Sequence, residues 1–165
     1  MKNIKYEREK VLKYAKRWAY DRNPQFYNFD NVGGDCTSFV SQCILAGSNV
    51  MNYDKNNGWY YINGNKKSLS WTGVEFLYQF LINNKSVGPY AKEVSQNKIE
   101  LGDIAQISFD GQKFAHSLVV VKIDDVNSLN GIYIASHTFD SYDKKISEYG
   151  LRKIRFIHIN GVRNW

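Results

Sequence analysis

The chain reads as an α+β protein, with helices in its first half and antiparallel strands in its second. Three observations predict this. Apolar stripes at helical spacing recur before residue 85, runs of β-branched and apolar residues recur after residue 100, and Gly88-Pro89 breaks the chain between them. Helices followed by strands favour segregated layers over alternating βαβ units.

Residues 6–20 carry Val11, Leu12, Ala15, Trp18 and Ala19 on one helical face, and Asn23-Pro24 ends that helix. A loop with Phe26, Tyr27 and Phe29 leads to Gly33-Gly34-Asp35-Cys36. Beyond this turn, apolar residues at 36, 39, 40, 43 and 44 predict a second, core-facing helix that Asp35 is placed to cap. The stretch 47–70 is rich in Asn, Gly, Lys and Tyr, too long for a turn, and reads as a functional loop or flap. Residues 71–81 repeat the helical pattern, with Val74, Leu77, Phe80 and Leu81 facing in. After Leu101-Gly102-Asp103, strands are expected at 104–109, 116–123, 131–136 and 152–160, with Asp110-Gly111 as the hairpin turn between the first two.

A length of 165 residues and a hydrophobic content of 43% suit one packed domain spanning 1–165. At this size roughly two-thirds of the unfolded surface is buried without a disulfide or metal staple. Cys36 and Cys43 lie about 10 Å apart along one helix, too far to bridge. No apolar run approaches the roughly 20 residues of a membrane helix, and no apolar signal core follows Met1, so neither a membrane span nor a secretory peptide is expected. The net charge of +6 comes from 22 basic and 16 acidic residues scattered along the chain. Arg152-Lys153 and Arg155 alternate with apolar residues and read as a solvated sheet face. No nucleic-acid-binding module is recognisable.

Cys36 is the candidate nucleophile. A thiol entering a helix behind a glycine turn meets free backbone N–H groups and the positive end of the helix dipole, and both favour the reactive thiolate. A thiol needs a base, and the chain has three histidines. His116 begins one strand and His137 ends the next, so an antiparallel hairpin brings both to one end of the sheet. One imidazole then takes the proton and the other orients it. His158, late in the last strand, reads as structural. The aromatic middle (Tyr53, Trp59, Tyr60, Tyr61, Trp71) reads as core packing or as a groove wall, with Trp59 and Trp71 the groove candidates.

These residues resemble a known family. Gly34-Asp35-Cys36-Thr37-Ser38-Phe39-Val40-Ser41-Gln42-Cys43, then Gly102-Asp103-Ile104, His116-Ser117-Leu118-Val119-Val120 and Ser136-His137-Thr138, resemble the bacterial "putative amidase" domain. That domain belongs to the papain-like cysteine hydrolase superfamily, related to NlpC-type and CHAP cell-wall hydrolases. The resemblance covers nearly the whole chain. It implies a papain-like fold and a Cys–His–polar triad, with Cys36 as nucleophile, His116 as base and His137 as orienting group; Asp140 is the alternative for the third place. It suggests Tyr27 near the oxyanion, although the usual compact spacing of that tyrosine to the cysteine is absent. The backbone N–H of Cys36 is the other oxyanion donor. The implied substrate is peptidoglycan, cut at a stem-peptide or sugar–peptide amide through a thioester, at the bacterial cell wall and without a cofactor.

Three other readings are open at this point. A metal-dependent hydrolase would use His116, His137 and Asp103 or Asp140. A non-catalytic wall-binding module would use the aromatic middle and basic surface. A transferase or deamidase would share the thioester chemistry.

Overall fold

A computed structural model describes residues 1–165 and has the expected α+β class. The helices are α1 (Arg8–Trp18), α2 (Cys36–Ser48), α3 (Leu69–Thr72) and α4 (Val74–Asn83). The strands are β1 (Lys2–Ile4), β2 (Tyr61–Asn63), β3 (Lys66–Lys67), β4 (Gly88–Val94), β5 (Ile104–Ser108), β6 (His116–Ile123), β7 (Ile132–Ser136), β8 (Ser141–Lys145) and β9 (Lys153–Asn164). The four expected strands are thus β5, β6, β7 and β9.

Seven strands form one antiparallel sheet in the order β1-β9-β5-β6-β7-β8, with β4 also paired to β9. β9 runs to Asn164 rather than 160 because three partners hold it. β5 pairs along Lys153–Ile157, β4 along Phe156–Arg163 and β1 along Val162–Asn164. β4 starts at the Gly88-Pro89 pair that reads as a break: Gly88 turns the chain at φ 101°, and the strand follows at once. Asp110-Gly111 lies within a longer β5–β6 connection, where Asp110 Oδ1 accepts from Gln112 N (2.8 Å) and Lys113 N (2.9 Å).

α2 is buried nearly all round rather than along one stripe, with 11 of its 13 residues buried. Its polar residues tolerate this because they are paired. Thr37 Oγ1 meets Ser117 Oγ at 3.0 Å, Ser41 Oγ donates to Trp71 O at 2.9 Å, and Tyr14 donates to Gln42 Oε1 at 2.6 Å. The helix expected over 71–81 is split at Gly73, whose N–H bonds Leu69 O (2.9 Å) while its carbonyl accepts from Leu77 N (2.8 Å).

The helices pack on one sheet face, where Phe39, Val40, Ile44 and Leu77 meet Val119 and Ile157. The opposite face is also buried. Leu118, Val120 and Ile134 lie there under Ile99, Ile146 and Tyr149 from the connecting segments. Two surface expectations are corrected here. Arg155 is only 9% exposed, between the rings of Tyr78 (3.6 Å) and Phe114 (4.1 Å), with Gln106 Oε1 at 2.7 Å and Glu75 at 2.8 Å. Trp59 and Trp71 are fully buried, 5.1 Å apart, so neither lines a groove. Trp59 Nε1 donates to Ser41 of α2 (3.1 Å), and the 47–70 segment is stapled to the core by that bond, by the Asn52–Trp59 bridge and by its own β2–β3 hairpin. No helix is long and apolar enough to cross a membrane.

Candidate active site

Cys36 is the first residue of α2 and 9% exposed. Gly33 (φ 82°) and Gly34 (φ 95°) make the turn before it, in a region other residues rarely adopt. A Cβ on Gly34 would also stand 3.3 Å from Thr138 Oγ1. At this position the Cys36 N–H has no partner within the helix and is free to face a developing oxyanion. Cys43, two turns deeper, is fully buried, and burial pushes its thiol well above the usual range.

Asp35 does not cap the helix with its side chain. Its Oδ1 accepts from Phe29 N at 2.9 Å, closing the loop beneath the nucleophile, and its Oδ2 lies 2.6 Å from His137 Nδ1. His137 Nε2 lies 2.7 Å from the Trp18 carbonyl, and its ring stacks 4.0 Å above Phe39. A carbonyl only accepts, so Nε2 carries hydrogen. Nδ1 shares a proton with the Asp35 carboxylate. Both nitrogens are therefore occupied, and His137 neither orients His116 nor takes the thiol proton.

Register parity explains why the expected pairing of histidines does not form. β6 and β7 do form the hairpin, with Val119 opposite Ala135. Two residues further on, 137 falls beside 117, not 116. His137 follows Ala135 to the helix side, whereas His116 follows Leu118 to the opposite face. The histidines reach one end of the sheet with the sheet between them. Asp140 does not fill the third place either. Both its oxygens pair with Arg22 (3.0 and 2.9 Å), which also bonds both oxygens of Asp30 at 3.0 Å and stands 3.8 Å from Asp35. Burial works against the Arg22 charge, but Asp140 and Asp30 hold it protonated.

His116 is 3% exposed, and its Nε2 is buried without a partner. Its ring packs 5.7 Å from Tyr149 and 6.4 Å from Phe109. Burial, aided by the Lys144 charge, lowers its pKa to about 4, so the imidazole is neutral at pH 7. Tyr149 was not legible as a site residue, because it follows a short 3₁₀ turn with no periodic signal. Its hydroxyl meets Ser136 Oγ at 3.2 Å. Burial raises its pKa, hydrogen bonds to Ser136 and Ser141 oppose the rise, and a charge on Cys36 adds to it. Tyr149 thus lies against His116 and within the field of Cys36. The thiol itself touches Thr37 Oγ1 at 3.8 Å and makes no hydrogen bond to His116.

Tyr27 is half-exposed and packs edge-on to Phe29 at 4.9 Å, over Gly64. His158 is structural, as expected: its Nδ1 is 2.8 Å from Asp103, a fully buried carboxylate that also binds Arg8 (2.7 Å) and Ile159 N (3.0 Å). The residues of the metal reading are therefore dispersed, with Asp103 on Arg8 and His158, Asp140 on Arg22, and His137 on Asp35. A cleft of about 760 Å³ lies between the 52–58 loop and α4 and includes none of the candidate residues.

Fold and site together define an α+β protein with a cysteine at a helix entrance and a neutral, buried histidine at the same end of the sheet. The comparisons supply the family. Residues 5–159 match the family described as "Putative amidase domain", and the chain belongs to it. Amide hydrolysis is the activity that this family indicates. Over 140 residues the chain is 30% identical to "Uncharacterized protein YhbB" of Bacillus subtilis (strain 168), covering 84% of this chain and 43% of that protein. The chain thus spans less than half the length of that relative. No solved structure matches.

Proposed function

We propose that this chain is a papain-like cysteine amidase that works through a Cys36–His116 dyad. The observation that carries the reading is the contrast between the two histidines at the cysteine's end of the sheet. His137 has both nitrogens bonded, whereas His116 keeps a buried, unengaged Nε2. Catalytic hydrogen bonds are often loose without substrate, so the open thiol–imidazole geometry fits a resting site.

In this reading the Cys36 proton passes to His116 as sulfur attacks the amide carbonyl carbon. The carbonyl oxygen takes the negative charge and is held by the Cys36 N–H. Collapse breaks the C–N bond, the amine leaves with the proton from His116, and a thioester remains. Water, deprotonated by His116, hydrolyses the thioester and regenerates the thiol. Ring contacts with Tyr149 and Phe109 orient His116 in place of a third polar residue. The substrate follows the resemblance to cell-wall hydrolases: an amide of peptidoglycan, in the stem peptide or at the sugar–peptide junction.

The test is release of new amines and of soluble fragments from purified peptidoglycan, compared between wild type and Cys36→Ala. Amine release by wild type and its loss in the variant are expected. Undiminished release by Cys36→Ala overturns the cysteine reading. Wall pelleting by both proteins without any release turns the assignment to a binding module.

A further inference from the structure

We infer that Lys144 is a carboxylate-recognition residue of this site, so that the preferred amides carry a free carboxylate beside the scissile bond. The inference rests on the Cys36–His116 reading. Lys144 lies on β8 opposite Ile134, which faces the same buried side of the sheet as Leu118 and Tyr149. His116 alternates to that side as well. A bulge aims Lys144 there. From Ser136 to Ile134 β7 advances two residues while β8 advances three, and the extra turn is taken at Asp143, φ 61°.

The ammonium sits 4.0 Å over the Tyr149 ring, the ring that packs 5.7 Å from His116. Tyr149 thus touches both groups, with the cation over its face and the imidazole inclined to it at 56°. Lys144 is half-buried and has no carboxylate within 4.0 Å. The arginines built into the fold differ: Arg8, Arg22 and Arg155 each reach a carboxylate within 3.0 Å. Asp143, its neighbour in sequence, is exposed and forms no ion pair with it. A half-buried cation held by an aromatic face keeps its charge available to an incoming anion. Its field is felt in the site, because Lys144 helps to keep His116 neutral. Phe109, 41% exposed and 6.4 Å from His116, supplies an apolar contact nearby.

The experiment needs no turnover. Cys36 is alkylated with anionic iodoacetate and with neutral iodoacetamide, and both rates are read by intact mass for wild type, Lys144→Met and Lys144→Arg. Cys43 is fully buried and stays silent in the folded protein. The expected result is an iodoacetate-to-iodoacetamide rate ratio that falls roughly threefold or more in Lys144→Met and is retained in Lys144→Arg. High salt should shrink the wild-type ratio. A reactive Cys36 whose ratio changes less than about twofold overturns the Lys144 assignment alone. A Cys36 that neither reagent labels in the folded wild type overturns the cysteine reading, and this assignment with it.

Discussion

Replacing His137 by alanine separates a structural role from a chemical one. The substitution leaves the Asp35 carboxylate, 2% exposed, with only Phe29 N at 2.9 Å and Arg22 at 3.8 Å. It also removes the donor from the Trp18 carbonyl and the ring stacked on Phe39. Breaking one side of a buried ion pair costs about 3–5 kcal/mol, because the remaining charge stays desolvated. For a chain of this size each kcal/mol shifts Tm by roughly 2–4 °C, so His137→Ala should melt roughly 6–20 °C below wild type. Adding Asp35→Asn removes the stranded charge. The double variant should therefore be more stable than the two single losses predict, with a coupling of about 2 kcal/mol in urea titrations at pH 7. If His137 instead oriented the base, its loss would lower kcat and leave Tm nearly unchanged. A single-variant cost below about 1 kcal/mol, or a coupling near zero, refutes the buried-pair argument.

Three further outcomes are expected. His116 is depressed from 6.5 to about 4, so its contribution to stability is full above pH 6.5 and is lost as pH falls through about 4, a change of about 3 kcal/mol that His116→Phe should reduce in pH-dependent unfolding. The acid limb of kcat/KM should accordingly lie near pH 4 rather than 6.5, and a limb at the ordinary histidine value argues against His116 as base. Trp59→Ala should cost about 3–5 kcal/mol by the cavity it opens, and should leave wall binding by the remaining folded fraction unchanged. Reduced binding without destabilisation would restore a groove role.

How much was legible depended on how local each cause is. The Gly33-Gly34-Asp35-Cys36 turn is encoded within four residues, and β6 within one apolar run, so both are readable. The 116/137 hairpin is readable as well, since its ends are set by strand lengths. Which sheet face each histidine takes is not, because it depends on a parity of one residue in the pairing. The partner of His137 was adjacent to the nucleophile all along, yet Asp35 and His137 are 102 positions apart and no local pattern joins them. Trp59 and Trp71 have the amphipathic chemistry of groove residues, and only the packing of the 47–70 segment onto Ser41 settles them in the core. Tyr149 follows a 3₁₀ turn and Lys144 sits in a bulged edge strand, where neither helical nor strand periodicity operates.

The sheet divides the site into two halves with different work. On the helix side, Asp35, His137 and Arg22 tie the end of α1, the loop before Cys36 and the β7–β8 turn into one charged network. That turn holds Thr138 and Phe139 at φ 58° and 60°, strained for residues other than glycine, so its position has to be enforced by such ties. On the other side, His116 and Lys144 both pack against Tyr149, and this group contains the unengaged nitrogen and the unpaired cation. Substitutions in the first half should therefore act on stability and reach activity only by moving Cys36. In the proposed reading, substitutions of Lys144 and His116 should act on the choice of substrate and on proton transfer, whereas Tyr149 also roofs the second core. Two histidines are thus buried at one end of a sheet in different ways: one is stabilised by a fixed partner, and the other keeps the unengaged nitrogen that the proposed dyad requires.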